Sequence, residues 1–296
     1  MPAAAGWGTV ALMKAVVRFR CAVCAITVWV AMLASSGLAF AQDDGFVDLE
    51  LVLAVDVSRS MDSGELALQR FGYADAFRHP SVVSAIASGP NGRIAVTYVE
   101  WAGPDVQQVI VPWFLVDGAD AARAFADSLT FGALGSRRGT SISGGLLFAA
   151  TLFQENSFTG LRRVIDLSGD GPNNMGLPVV AARDAVVAQG IVINGLPLTL
   201  KRPTDRFYNI ENLDIYYEDC VIGGPGAFLV AAHDPAGLAA AIRRKLVLEI
   251  AGRPPVITFA NSRDRAPPCR LPDRRETAAA AVPLHGVRAI VCASLG

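Results

Sequence analysis

The spacing of hydrophobic and polar residues changes several times along the chain, and each change marks an element. Val47 to Val57 (VDLELVLAVDV) alternates at first and then becomes continuously apolar, as a strand buried on both faces does. Asp62-Ser63-Gly64-Glu65 has a capping-box pattern, and Leu66, Tyr73, Ala74 and Phe77 then recur at helical spacing. Pro80 ends that helix or follows its end. Arg93 to Trp101 and Val106 to Val116 read as strands joined by the turn Ala102-Gly103-Pro104-Asp105, which predicts an antiparallel hairpin. Helices are predicted over Ala119 to Leu129 and Ile142 to Phe153. A short strand over Arg163 to Leu167 precedes a helix over Leu177 to Gln189, closed by Gly190. Ile191 to Leu198 and Ala227 to Ala231 read as strands, and Asp234-Pro235 opens a last helix that runs to Ile250.

Strands that alternate with helices in this way predict an α/β fold. The expected architecture is a doubly wound, mostly parallel sheet with one antiparallel edge strand and helices on both faces. Folds of this kind bind ligands at the carboxyl ends of their strands, so the residues at those ends matter most.

Composition agrees with a globular domain. The chain has 296 residues, 52% hydrophobic and 18% charged, which is enough apolar material for a core and excludes wholesale disorder. A formal net charge of -1 leaves no basic face of the kind a dedicated nucleic-acid binder needs. The average conceals three zones. Residues 1–41 carry Lys14, Arg18 and Arg20 and no acid; residues 42–251 carry 16 basic and 24 acidic side chains; residues 252–296 carry seven arginines and three acids. The first zone has a basic start, the apolar run CAVCAITVWVAMLAS and then Ala39-Phe40-Ala41, which together read as a secretory signal peptide cleaved after Ala41. Met13-Lys14 would make a more ordinary start. The expected location is periplasmic or secreted; the alternative is an anchor formed by an uncleaved signal. No membrane span is predicted after the signal. The Pro/Arg-rich stretch 252–296 has no sustained period and reads as a mobile tail. Export leaves Cys220, Cys269 and Cys292, enough for one bridge and one spare thiol. A Cys269–Cys292 bridge would tie the tail to itself, but the sequence does not fix the pairing.

Three loops carry candidate chemistry. The first strand ends in Asp56-Val57-Ser58-Arg59-Ser60, a D-x-S-x-S pattern; Thr140 stands just before a helix; the strand at 163 ends in Ser168-Gly169-Asp170-Gly171. All three fall where one sheet edge can gather them. Two carboxylates and three hydroxyls are hard oxygen donors, suited to Mg²⁺, with Mn²⁺ or Ca²⁺ as substitutes. The plainer reading of D-x-S-x-S alone is a helix-capping loop.

Over about residues 46 to 250 this constellation resembles the von Willebrand factor type A domain and its metal-ion-dependent adhesion site. The resemblance implies that Ser58, Ser60 and Thr140 contact the metal directly, while Asp56 and Asp170 act largely through bound water. It also implies an open coordination position that takes an acidic side chain from a protein partner. Glu100-Trp101, Arg162 to Gly171, Asn173-Asn174, Ile193 to Pro197 and Val221 to Gly226 look like a bacterial exported subfamily of unknown function. That resemblance supplies a fold and a site, not a biological role.

Around the motifs, Arg59, Glu100, Trp101, Asn173 and Asn174 are candidates for partner contact. Each has a plainer reading: a solvated charge for Arg59, a strand end for Glu100 and Trp101, turns for the two asparagines. Tyr208, Tyr216 and Tyr217 lie in the insertion Lys201 to Gly224, and their aromaticity suggests a partner surface. Enzyme readings have little support. None of His79, His233 and His285 lies near a nucleophile motif, and neither G-x-S-x-G nor a Walker A sequence occurs. A metal-assisted hydrolase of phosphate or sulfate esters would lack an evident general base or second metal. A third reading is a structural domain in which a metal only ties loops together.

Overall fold

The apolar run after Asp48 becomes the central strand of a sheet. A computed structural model describes residues 45–130, 135–200, 212–252 and Cys269. The chain divides into two units, Met1–Asp44 and Gly45–Gly296, and all described residues belong to the second. The predicted signal peptide, Tyr208, Cys292 and nearly all of the tail lie outside the described residues. The strands are β1 (Phe46–Val47), β2 (Leu49–Asp56), β3 (Ile94–Trp101), β4 (Gln107–Val116), β5 (Thr159–Gly160), β6 (Arg163–Gly169) and β7 (Val192–Pro197). The helices are α1 (Ser63–Arg78), α2 (Pro80–Ala87), α3 (Ala119–Leu129), α4 (Ile142–Leu152), α5 (Val179–Val187), α6 (Leu213–Tyr216) and α7 (Pro235–Ala251). Five strands form one sheet in the order β4-β3-β2-β6-β7, parallel except for the antiparallel β3–β4 edge pair. β1 and β5 form a separate parallel pair.

All eight residues of β2 are buried, and their alternation divides the core in two. Leu49, Leu51, Leu53 and Val55 face a layer that includes Tyr73 and Phe77 of α1, Val82 of α2, Phe125 of α3 and Leu246 of α7. Val52 and Ala54 face the opposite layer, with Leu146 of α4, Val179 of α5, and Tyr216 and Tyr217. The period of two along a strand therefore places helices on both faces of the sheet. Among the described residues no helix is long and apolar enough to cross a membrane.

The capping box forms as its residues predict. Asp62 accepts from the N–H of Glu65 at 2.9 Å, and Glu65 reaches back to the N–H of Asp62 at 2.9 Å. Pro80 does more than end α1. It stands in the first turn of α2, where a missing N–H costs nothing, and His79 Nδ1 caps that helix by accepting from the N–H of Ser81. Residues 227–231 do not form the predicted strand. They lie extended beside β7 but make only isolated bridges, Gly195 with Leu229 and Leu198 with Ala232. Gly195 N–H donates to Phe228 O, and Val230 N–H donates back to Gly195 O. The next donor along β7 would be residue 197, a proline with no N–H, so the ladder breaks there.

The layer under α1 and α7 contains charge as well as hydrocarbon. Asp166 of β6 and Lys245 and Glu249 of α7 are each 1% exposed or less. Lys245 Nζ lies 2.6 Å from Asp166 Oδ1 and also pairs with Glu249 Oε1. Asn194 of β7 donates to Glu249 Oε1 at 3.0 Å, and Tyr73 Oη reaches toward Asp166 Oδ2 at 3.4 Å. On the other face, a disulfide joins Cys220 to Cys269 with Cα atoms 5.4 Å apart. The bridge that would have tied the tail to itself is therefore not the one formed, and residue 269 is fastened to the core.

Candidate metal centre

Asp56 ends β2 opposite Trp101 of β3, while Val55 pairs with Ser168 of β6. The register thus brings Gly169-Asp170 alongside Asp56. From β2 the sheet extends to β3 and β4 on one side and to β6 and β7 on the other, so this edge is a topological switch point.

The D-x-S-x-S loop folds onto its own first carboxylate. Ser58 N–H donates to Asp56 Oδ1 at 2.7 Å, and Met61 N–H closes the turn onto Ser58 O at 3.0 Å. Ser58 Oγ and Ser60 Oγ stand 2.8 Å apart, and Ser60 Oγ donates to Asp170 Oδ1 at 2.5 Å. The 135–141 loop is bonded to its neighbours: Arg137 N–H donates to Val57 O at 2.7 Å and Ser141 N–H to Ala102 O at 2.6 Å. The loop after Asp170 closes onto Thr140 from above. Thr140 N–H donates to Asn174 Oδ1 at 3.0 Å, and Thr140 O accepts from the N–H groups of Asn174 and Met175. Asn173 Oδ1 accepts from Ser143 N–H at 3.0 Å in the first turn of α4. Asp56, Ser58 and Thr140 are buried; Ser60 and Asp170 are half-buried.

Burial, and next the nearby Asp170 carboxylate, push the Asp56 carboxyl well above its ordinary range, against the hydrogen bonds from Ser58. Asp56 Oδ2 is buried with no hydrogen-bond partner. Two carboxylates held this close call for a proton or a cation between them. The edge gathers no group of three or more His, Cys, Asp or Glu, and none occurs among the described residues. Its donors are carboxylate and hydroxyl oxygens, and with an unsatisfied carboxylate oxygen among them the set fits a hard divalent cation.

The partner candidates sort differently. Arg59 is exposed beside the motif. Asn173 and Asn174 are loop-shaping residues, each with its side-chain oxygen committed to a backbone N–H. Trp101 is fully buried with its ring against Gly145 of α4, so it offers nothing to a partner. Glu100 is taken up by Arg70 of α1, an ion pair whose side chains are 11% and 5% exposed. Tyr216 and Tyr217 are also completely buried and form no partner surface. Instead both reach the site from below. Tyr216 Oη accepts from Asn173 N–H at 3.2 Å, and a Cβ placed on Gly169 would stand 2.8 Å from Tyr217 Oη. No motif flags this role. The only sequence signal is a Tyr-Tyr pair in an insertion, and aromatic composition does not say which way a ring points.

The fold and its switch point define the class: a doubly wound α/β domain with its candidate site at the carboxyl ends of the central strands. The chain belongs to the family described as protein of unknown function DUF1194, which it matches over residues 46–254. Solved structures of similar fold include the pilus adhesin SpaC from Lactobacillus rhamnosus GG, 13% identical with a TM-score of 0.52. That likeness covers 69% of this chain and 31% of the adhesin, so this chain spans about a third of the adhesin's length. The von Willebrand factor type A protein from Catenulispora acidiphila is 15% identical over 69% of this chain and 43% of that one, with a TM-score of 0.46. The vWF domain of the type V pili tip protein Mfa5 from Porphyromonas gingivalis is 11% identical over 73% of this chain and 99% of that one, with a TM-score of 0.49. Identities this low bear on the fold alone. No curated protein matches the chain in sequence.

Proposed function

We propose that the chain is an exported binding module that holds Mg²⁺ through Asp56, Ser58, Ser60, Thr140 and Asp170. An open coordination position on that ion grips an acidic side chain of a protein partner, and Mn²⁺ or Ca²⁺ can replace Mg²⁺. The observation that supports this reading is the buried, unsatisfied Asp56 Oδ2, on a carboxyl pushed upward by burial and by Asp170. A protein that leaves such an oxygen without a donor sacrifices stability unless a cation or its water completes the site. The ion would supply positive charge and exchangeable ligand positions; the chain supplies oxygen donors on loops already bonded to one another.

Thermal melting of the full exported chain with EDTA, Mg²⁺, Mn²⁺ and Ca²⁺ tests the metal. At metal concentrations near 100 Kd, linkage stabilises by about 2.7 kcal/mol, which raises the Tm of a domain of this size by roughly 5–10 °C. Asp56→Ala should abolish that rise, measured from the variant's own metal-free Tm, which balances the relief of a buried carboxyl against the lost acceptor of Ser58 N–H. A pull-down in Mg²⁺ against EDTA then tests the partner. An Asp56→Ala chain that keeps the metal-dependent rise and the captured partner would overturn the reading.

A further inference from the structure

The segment after Asn212 belongs to none of the three motifs. It makes one turn of helix, α6, and then a π turn over Tyr217–Val221, with Ile222 N–H donating to Tyr217 O at 2.9 Å. Wide turns of this kind cluster at functional sites because they re-aim one side chain without ending the helix. The turn begins at Tyr217. The tyrosine ring lies against Gly195 of β7, where a Cβ would come within 2.8 Å of Tyr217 Cδ1, and its hydroxyl ends at Gly169 of β6. Two glycines on adjacent strands thus open the slot that the ring fills.

The hydroxyl is the informative atom. Tyr217 Oη is buried with no hydrogen-bond partner, and so is Asp56 Oδ2. A Cβ on Gly169 would stand 2.8 Å from Tyr217 Oη and 3.0 Å from Asp56 Oδ2, so both atoms converge on the same point beneath the site. One is a donor lacking an acceptor, and the other is an acceptor lacking a donor. Packing requires only the ring; phenylalanine would fill the slot equally well and leave no buried hydroxyl unsatisfied. The hydroxyl therefore makes sense as part of the site rather than of the core.

We propose that Tyr217 is a positioning residue of the metal site: its hydroxyl donates to Asp56 Oδ2, directly or through one water over Gly169, and holds that carboxylate toward the ion. This rests on the metal reading above. Tyr216, bonded to Asn173 N–H, braces the loop after Asp170 from the same turn, so one buried segment supports two of the three metal loops.

The test uses the full exported chain and Mg²⁺ alone, with calorimetric Kd, metal-free Tm and tyrosine difference absorbance as readouts. Tyr217→Phe is expected to weaken Mg²⁺ binding roughly 10–100-fold, the usual cost of removing an outer-sphere partner. Its metal-free Tm should stay the same or rise. Mg²⁺ should perturb the tyrosine absorbance of the wild type, and this signal should be absent from Tyr217→Phe. Installing 4-aminophenylalanine at position 217 restores a donor, so it should recover affinity where phenylalanine does not; a merely structural role for the ring predicts no difference between the two. Equal Mg²⁺ affinity in wild type and Tyr217→Phe overturns this proposal and leaves the metal reading standing. A wild type with no Mg²⁺ affinity overturns both.

Discussion

Replacing Lys245 with methionine is expected to destabilise the fold by about 3–5 kcal/mol, read as a lower urea midpoint at pH 7. Lys245 contacts two acidic side chains that are 1% exposed or less, Asp166 from β6 and Glu249 from its own helix. The Asp166 contact is an ion pair at 2.6 Å rather than an aligned hydrogen bond, so the stabilisation there is mostly Coulombic. Without the ammonium, Asp166 is left buried facing the distant Tyr73 hydroxyl, while Glu249 keeps Asn194 and the charge of Arg162 near its backbone. Arg123→Met is the control. Its pair with Asp120 is exposed, 60% and 96%, and should change the midpoint by less than about 0.5 kcal/mol. Comparable losses from the two variants would mean that the buried cluster is not a stabilising ion network.

The same cluster sets a pH dependence. Burial, and next the Asp166 carboxylate, push the Glu249 carboxyl from 4.5 up to about 8, opposed by Lys245 and Asn194. The folded chain therefore holds a proton there that the unfolded chain has released. The stability this contributes is fully present below pH 4.5 and is lost as pH rises through about 8, with a slope of at most about 1.4 kcal/mol per pH unit. Glu249→Gln keeps the shape and removes the titration. Its stability should fall less steeply than the wild type's across that window, by up to about 1.4 kcal/mol per pH unit, the remaining slope belonging to groups such as the raised Asp56 carboxyl; a slope equal to the wild type's would place the titrating group elsewhere.

Much of this was legible in the sequence because it is local. The apolar run of β2, the capping box at Asp62 and Glu65, the hairpin around the turn Ala102 to Asp105 and the three candidate loops at one sheet edge each depend on residues close together in the chain. What the sequence did not disclose depends on direction or on distant pairing. Tyr216 and Tyr217 read as surface because aromatic composition carries no orientation. The meeting of Tyr217 with Asp56 passes through Gly169 and Gly195, whose role appears only once β6 and β7 are adjacent. Residues 227–231 read as a strand, but Pro197 on the neighbouring strand denies them a ladder. Pro80 reads as ending α1 or following its end, and it also starts α2. Lys245 follows Arg243 and Arg244 and looks like part of a solvated basic run. Its true side is betrayed by period: Leu238, Ile242, Leu246 and Ile250 mark the inner face of α7, and Lys245 and Glu249 fall beside them.

Breaking the Cys220–Cys269 disulfide is expected to cost about 4 kcal/mol on the chain-entropy estimate for a span of 49 residues. Tm should fall by roughly 8–16 °C for a domain of this size. Cys220 lies in the π turn that begins at Tyr217, so the loss should not be confined to stability. When the turn is released, the tyrosine hydroxyl is held less firmly beneath Asp56, and Mg²⁺ affinity should weaken with it. Melting the full exported chain with and without reductant, each in EDTA and in saturating Mg²⁺, separates the two effects. A disulfide that acts only on the unfolded ensemble lowers both curves equally and leaves the Mg²⁺-dependent shift intact. A disulfide that also holds the site lowers both curves and shrinks the shift measured at limiting metal. A Cys220→Ser/Cys269→Ser chain should reproduce the reduced protein without reductant. By the same reasoning, a chain cut after residue 251 loses Cys269 and strands Cys220, so a weak metal response from such a fragment would report the missing bridge rather than the site.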